Sequence, residues 1–330
     1  MPEGHTVHRL ARALGGLFGG EVLAVSSPQG RFAGGAALLD GHRLVAAEAW
    51  GKQLFCAFAP DGPGDALWLR VHLGLYGAWS FAGDGSADVV HAIGAPRRRI
   101  GERETTPGDV DPGAGAPVGA AGEWVPPEPR GAVRLRLVGA HAVADLTGPA
   151  ACEVLTGAEK AAVEARLGPD PIRGDGGRGS LEASRAAFVE RVRRSRVTVG
   201  QQLMDQAVIA GVGNIYRAEA LFRAGVDPLR PGREVPEAAL AGIWDDLVVL
   251  MRDGAERGAI VTTRPEHRVV DGGGGRVTRQ NTDGDADVVP RDASFYVYHR
   301  DGLPCRVCGA PVLTKELAGR NLFWCGVCQA

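Results

Sequence analysis

The chain has 330 residues, 45% of them hydrophobic and 23% charged, close to globular averages, which excludes a disordered or fibrous protein. At ~100 to 200 residues per domain, two or three folded domains are expected. The formal net charge of -2 gives no sign of a nucleic-acid partner, so a DNA-binding face has to be a local patch.

Val7, Leu10, Leu14 and Leu17 recur at helical spacing and predict an amphipathic helix close to the N-terminus, ended by Gly15, Gly16, Gly19 and Gly20. From Glu21 to Phe81 the pattern changes to short β-type runs. In one of them Leu67, Leu69, Val71 and Leu73 alternate with Trp68, Arg70 and His72, giving one buried and one polar face. Residues 82 to 130 are dominated by Gly, Pro, Ala and charge without a core-building period, and read as an inserted, largely disordered loop. AVRLRLVGAHAVADL then reads as a hairpin. From about Glu153 the period is helical, in EKAAVEARLG, SRAAFVERVRRS, VGQQLMDQAV, NIYRAEALFRAG and PEAALAGIWDDLVVLMRDGAERG. A second flexible tract at 271 to 290 leads into a cysteine-rich tail. No run approaches ~18 consecutive apolar residues, and Glu3 and several histidines stand where a signal peptide needs a basic start and an apolar stretch. Membrane spanning and export are therefore not expected, and the cytoplasm is the expected compartment.

Of the 37 basic residues only Lys52, Lys160 and Lys315 are lysine, leaving 34 arginines. A GC-rich genome accounts for such a bias, and bidentate phosphate contacts would use it. Cys56 and Cys152 are isolated and read as small buried hydrophobes. Cys305, Cys308, Cys325 and Cys328 form C-x2-C, sixteen residues, C-x2-C, the spacing of a tetrahedral four-thiolate zinc site. With all four positions filled by thiolate, the metal is structural. The intervening residues predict a hairpin turning at Gly319 with Arg320 at its tip, and the spacing alone does not distinguish this from an ordinary solvated arginine.

Two further segments carry chemistry. In QQLMDQAVIAGVGNIYRAEALF two helices meet at IAGVG, Asn214 opens the second, and Gly211 and Gly213 let a ligand approach the backbone. Free amides at that helix start plus the Asn214 side chain suit a phosphate, while a plain glycine turn between packed helices has the same sequence. The arginines 185, 191, 193, 194 and 196 precede it as a basic run or a merely solvated face. At the N-terminus, removal of Met1 would expose a secondary amine on Pro2. Its reference pKa of ~7.7 to 8.0 leaves a neutral fraction able to attack an electrophilic carbon, with Glu3 beside it to move protons. Proline is also simply a good first helical residue.

Together with WGKQLF and HLGLYGAW, these segments resemble the formamidopyrimidine-DNA glycosylase and endonuclease VIII family, and the opening PEGHT is similar to its endonuclease VIII branch. The resemblance implies an α+β protein that removes oxidised bases, pyrimidines preferred, and cleaves the strand by β/δ-elimination. It implies an N-terminal antiparallel β-sandwich with a leading helix over 1–150, containing the 82–130 insertion, and a linker over 151–180. A helix-two-turn-helix domain over 181–265, a flexible tract over 266–294 and a zinc finger over 295–330 follow. Pro2 is then the Schiff-base nucleophile, Glu3 the proton donor, and Lys52 the lysine assisting base loss and β-elimination. Asn214 is a phosphate clamp, Arg166 in ARLGPDP a DNA-binding linker arginine, and Arg320 the residue tied to δ-elimination. Cys305, Cys308, Cys325 and Cys328 hold one structural zinc.

Two positions depart from the family pattern. Thr6 stands where members commonly carry an acidic residue, and Gly74, Leu75 and Tyr76 replace a void-filling Gln-Leu-Tyr. Leu75 and Tyr76 read either as a wedge into DNA or as sandwich core. The implied partner is damaged DNA, bound by a monomer in the bacterial cytoplasm or nucleoid. Two rival readings are a non-catalytic protein combining a zinc ribbon with a helix-turn-helix, which leaves Met-Pro-Glu and Lys52 unused, and a terminal-proline tautomerase, which leaves the cysteines unused.

Overall fold

The computed structural model describes residues 2–86, 92–94, 124–268 and 289–330, with Arg291 described by its backbone alone. They divide into two units, Met1–Pro2 with Thr6–Ala165, and Glu3–His5 with Arg166–Ala330.

Helix α1 (Gly4–Phe18), which belongs to the first unit from Thr6 on, buries Val7, Leu10, Leu14 and Phe18. Gly15 and Gly16 lie inside this helix rather than ending it, and Phe18, not Leu17, completes the apolar stripe, one position further on and four after Leu14. Strands β1 (Ala24–Ser26), β2 (Arg43–Trp50), β3 (Gln53–Ala59), β4 (Leu67–His72), β5 (Ala78–Gly83), β6 (Ala92–Gly94), β7 (Val133–Val138), β8 (Ala142–Thr147) and β9 (Ala151–Leu155) form two antiparallel sheets. One has the order β1-β7-β8-β5-β6 and the other β2-β3-β4-β9. Leu54, Cys56, Phe58, Leu69 and Val71 of the four-stranded sheet share one core with Trp79, Leu135, Leu137 and Leu146 of the other and with α1. The unit is thus a β-sandwich with a helix in its core.

Three segments differ from what pattern predicts. Ala33–Leu39 is a helix, α2, which buries Ala36 and Leu39 in a stretch whose glycines hide the period. Strand β6 pairs with β5 inside the tract that composition assigns to a loop, whose residues 87–91 and 95–123 lie outside the described ones. Strand β9 pairs with β4 and is followed by α3 (Gly157–Glu164), so the first unit runs to Ala165 and takes in the start of the segment read as a linker.

Helix α3 covers the outer face of β3 and β4 through Lys160. Its Nζ lies 4.3 Å from the Trp68 ring centroid and 5.2 Å from that of Phe55, and it pairs with Glu48 and Glu164 at 2.6 Å each. That cover explains why β3 is buried on both faces rather than alternating.

The second unit contains α4 (Leu181–Arg193), capped by Ser180, α5 (Val199–Gln202), α6 (Asn214–Arg223) and α7 (Glu237–Arg257). Its core is built on Phe188, Leu203, Ile209, Tyr216, Leu221, Trp244 and Met251. Helix α5 is one turn long where the sequence predicts ten helical residues, because the Asp205 side chain accepts the Ala207 N–H and starts a turn instead. In α6 seven consecutive residues, Tyr216 to Phe222, are buried, among them Arg217 and Glu219. A short helix α8 (Arg291–Ser294) precedes the hairpin of β10 (Leu313–Leu317) and β11 (Arg320–Trp324).

Candidate functional site

Glu3 is 1% exposed, and its carboxylate is held at the start of α6. It accepts hydrogen bonds from the backbone N–H groups of Gly213 at 2.9 Å and Ile215 at 2.8 Å, with a longer one from Tyr216 at 3.5 Å. A helix N-terminus is a favourable seat for an anion, and here the anion comes from the protein itself. The sequence offers these amides to a phosphate; the structure gives them to Glu3. The glycines serve the same contact. A β-carbon at Gly213 would sit 2.4 Å from Glu3 Cδ, and Gly4 donates its N–H to the Gly211 carbonyl at 2.8 Å. Residue 3 is thereby fixed, and Pro2, buried, is its direct neighbour in the chain.

Asn214 is half-buried at the first turn of α6. Its Nδ2 donates to the Asn321 carbonyl at 2.9 Å, and its Oδ1 accepts from the Arg217 guanidinium. Asn321 follows Arg320 on β11, so α6 and the hairpin are fastened next to the predicted tip. Leu317 pairs with Arg320 across a two-residue turn in which Ala318 and Gly319 both have positive φ, 52° and 73°. Such turns match the twist of a tight hairpin. Arg320 is exposed at its edge, as the spacing predicts.

The four cysteine sulfurs lie within 4.8 Å of one another, with Cys305 to Cys328 at 3.9 Å and Cys308 to Cys325 at 3.5 Å. Sulfurs arranged tetrahedrally around zinc at about 2.3 Å stand about 3.8 Å apart, so the cluster fits the ion. One structural Zn2+ is held there. Cys305 and Cys325 share a small core with Phe222 and Ala218 of α6, Tyr296 and Phe323. Glu219, fully buried, accepts the N–H groups of Tyr296, Val297 and Tyr298 at 2.8 to 2.9 Å and the Thr262 hydroxyl, which ties the approach to the zinc module to α6.

In the first unit Lys52 is the second residue of the two-residue turn joining β2 to β3, and Gln53 pairs with His72. Burial, then the Lys52 and Arg70 cations, hold the His72 imidazole below its usual pKa. Gly74, Leu75 and Tyr76 form the turn that crosses from β4 to β5, hence from one sheet to the other. Gly74 has φ 66°, and a β-carbon there would meet that of Ala150 at 2.7 Å. Tyr76 is 63% exposed and Leu75 partly so, which removes both from the sandwich core. Arg166 is exposed at the start of the second unit. Much of the basic run on α4 is neutralised locally, Arg185 by Asp245, Arg193 by Glu237 and Arg194 by Glu190. The cradle of Glu3 and the roles of Arg217 and Glu219 escape sequence pattern, because charged residues in NIYRAEALF read as a solvated face.

Residues 1–107 match the formamidopyrimidine-DNA glycosylase N-terminal domain, residues 167–265 the formamidopyrimidine-DNA glycosylase H2TH domain, and residues 302–330 the zinc finger found in FPG and IleRS. Endonuclease 8 1 of Mycobacterium tuberculosis is 42% identical over 332 residues, spanning 100% of both chains. The crystal structure of MutM (FPG) from Thermus thermophilus aligns with a TM-score of 0.64 at 25% identity over 99% of this chain and 98% of that one. Lactococcus lactis Fpg, solved with DNA containing an abasic site, shares the fold at a TM-score of 0.64 and 17% identity over 99% of each chain. The chain belongs to the formamidopyrimidine-DNA glycosylase and endonuclease VIII family. Among the described residues no helix is long and apolar enough to cross a membrane.

Proposed function

We propose that this DNA glycosylase of base-excision repair uses Pro2 as its nucleophile and couples base removal to strand cleavage. The observation that carries the reading is the anchoring of Glu3: two short hydrogen bonds to the start of α6 fix the residue next to Pro2, as a reacting amine requires.

Once Met1 is removed, the Pro2 nitrogen forms a bond to C1′ of the lesion sugar while the C1′–base bond breaks and the base leaves with the electron pair and a proton. Opening of the sugar ring, with a proton delivered to its oxygen by way of Glu3, gives an iminium. This electron sink acidifies the C2′ proton; its loss expels the 3′ phosphate, and a second elimination at C4′ expels the 5′ phosphate. Hydrolysis then frees Pro2. Lys52 assists base loss and the first elimination, and Arg320 the second. Asn214 and Arg166 contact phosphates, which position the duplex without reading sequence.

Substrate choice follows from the exposed turn. A lesion is flipped out at a cost of about a few kcal/mol, and the hole must be filled. Leu75 and Tyr76 stand out of the core and suit that wedge. Saturated pyrimidines such as thymine glycol are non-planar and stack poorly, so they yield to it more easily than planar 8-oxoguanine. The enzyme acts as a monomer on damaged DNA in the bacterial cytoplasm or nucleoid.

Borohydride trapping on a thymine-glycol duplex tests the reading. A covalent adduct is expected, and Pro2→Gly should bind DNA but lose most of it. Full trapping by Pro2→Gly, which keeps a terminal primary amine, would show that the secondary amine of Pro2 is not required, and no adduct with the natural chain would end the Schiff-base mechanism.

A further inference from the structure

Arg217 is 0% exposed in the middle of α6, and one guanidinium nitrogen, Nε, has no partner among the described residues. An apolar side chain of similar volume would pack a helix without the desolvation cost of a buried cation, so packing alone does not explain an arginine here. What its other nitrogens do is specific. NH1 donates to the Gly200 carbonyl at 3.4 Å, and NH2 donates to the Asn321 carbonyl at 3.2 Å and to Asn214 Oδ1. Burial pulls its pKa down to about 10, with Arg320 lowering and Glu3 raising it, so it remains a cation at neutral pH.

A guanidinium has donors only, whereas an asparagine amide can present either its oxygen or its nitrogen. A donor beneath Asn214 therefore decides which way that amide faces. We propose that Arg217 is a positioning residue that locks the Asn214 amide with its oxygen inward and its NH2 outward. Of the two NH2 hydrogens one goes to the Asn321 carbonyl. The other is left for a phosphate oxygen, which an amide turned the other way would repel. This rests on the reading of Asn214 as a phosphate contact. Arg217 touches no DNA itself; it acts through the neutral side chain above it.

The test is equilibrium binding to a duplex carrying a tetrahydrofuran abasic analogue across a salt series, using Asn214→Ala, Arg217→Met, Arg217→Lys and the Asn214→Ala/Arg217→Met double variant. Zinc content and thermal midpoint are recorded for each. Arg217→Met should weaken binding about tenfold, the scale of one hydrogen bond to a charged group. Because the residue acts through a neutral amide, the slope of log K against log salt should not change. The double variant should bind no more weakly than Asn214→Ala, and Arg217→Lys, still a donor, should recover most of the affinity.

The inference is overturned if Arg217→Met costs as much in the Asn214→Ala background as alone, or if it lowers the salt slope by about one, the sign of a direct phosphate contact. A lower thermal midpoint with unchanged affinity in Arg217→Met would reduce Arg217 to a purely structural role. If Asn214→Ala binds like the natural chain, the phosphate reading of Asn214 fails first and the inference with it.

Discussion

Glu3 and Gly213 are 210 positions apart and are joined by a 2.9 Å hydrogen bond from the glycine amide to the carboxylate. This contact makes Glu3 to His5 part of the helical unit. Gly213→Ala should therefore injure catalysis through Glu3, because its methyl would stand 2.4 Å from Glu3 Cδ. Overpacking of this kind costs about 1 to 3 kcal/mol of stability. The resulting shift of residues 2 and 3 should lower trapping by up to about a hundredfold. Borohydride trapping beside a thermal melt checks it; undiminished trapping would show that the cradle is irrelevant to the amine.

The cysteines divide into two chemical populations. Burial raises the thiols of Cys56 and Cys152 to about 12, so neither should react with an alkylating agent at pH 8 while the fold persists. Zinc masks the other four. Chelation should release one equivalent of zinc and make four thiols titratable, and denaturant should then raise the count to all six. Cys325→Ser should lose zinc and nicking together, since the hairpin bearing Arg320 is organised by that metal. Full activity in a zinc-free preparation would contradict this.

His72 gives the first unit a pH dependence. Its pKa is lowered in the folded state, first by burial and then by Lys52 and Arg70. Between the folded and unfolded values the unfolded chain binds the extra proton, so stability rises with pH there. The contribution is therefore complete above the ordinary imidazole value of about 6.5 and is lost as pH falls below it. Melts from pH 5 to 7.5 should show the decline, and His72→Gln should flatten it. An unaltered slope in that variant would assign the acid sensitivity to other groups.

Leu75→Ala should slow excision of thymine glycol from duplex DNA at least about tenfold and leave single-stranded substrate nearly untouched, since only the duplex has a stack to open. Equal losses on both substrates would exclude a wedge at this turn. Faster removal of 8-oxoguanine than of thymine glycol by the natural chain would overturn the substrate assignment.

The parts of the molecule that sequence exposes are those governed by local rules. The four cysteines, the hairpin turning at Ala318 and Gly319 and the alternation in β4 each depend on spacing, and each is found where spacing puts it. Helix α2 is hidden because its buried Ala36 and Leu39 are separated from other apolar signals by weakly helical glycines. Helix α5 stops early because of a side-chain turn at Asp205. The Glu3 cradle is out of reach for a different reason. A carboxylate's partner 210 residues away leaves no periodic trace, and a helix start looks the same whether a phosphate or a glutamate fills it. Arg217 and Glu219 mislead similarly, since charge in a short helix ordinarily marks its solvent side.

Helix α6 has no such side. With Tyr216 through Phe222 all buried, each residue meets a different neighbour: Glu3 at the N-terminus, Asn321 beside Arg217, and the amides of Tyr296 to Tyr298 around Glu219. A segment without a free face has little room for genetic drift. Insertion of one residue would turn every later side chain about 100° and present each to the wrong partner. In a library of random variants selected for survival under oxidative stress, this decapeptide should be the stretch most depleted of substitutions. Leu75 and Tyr76, by contrast, stand outside the sandwich core, and substitutions there should be recovered freely without disturbing the fold.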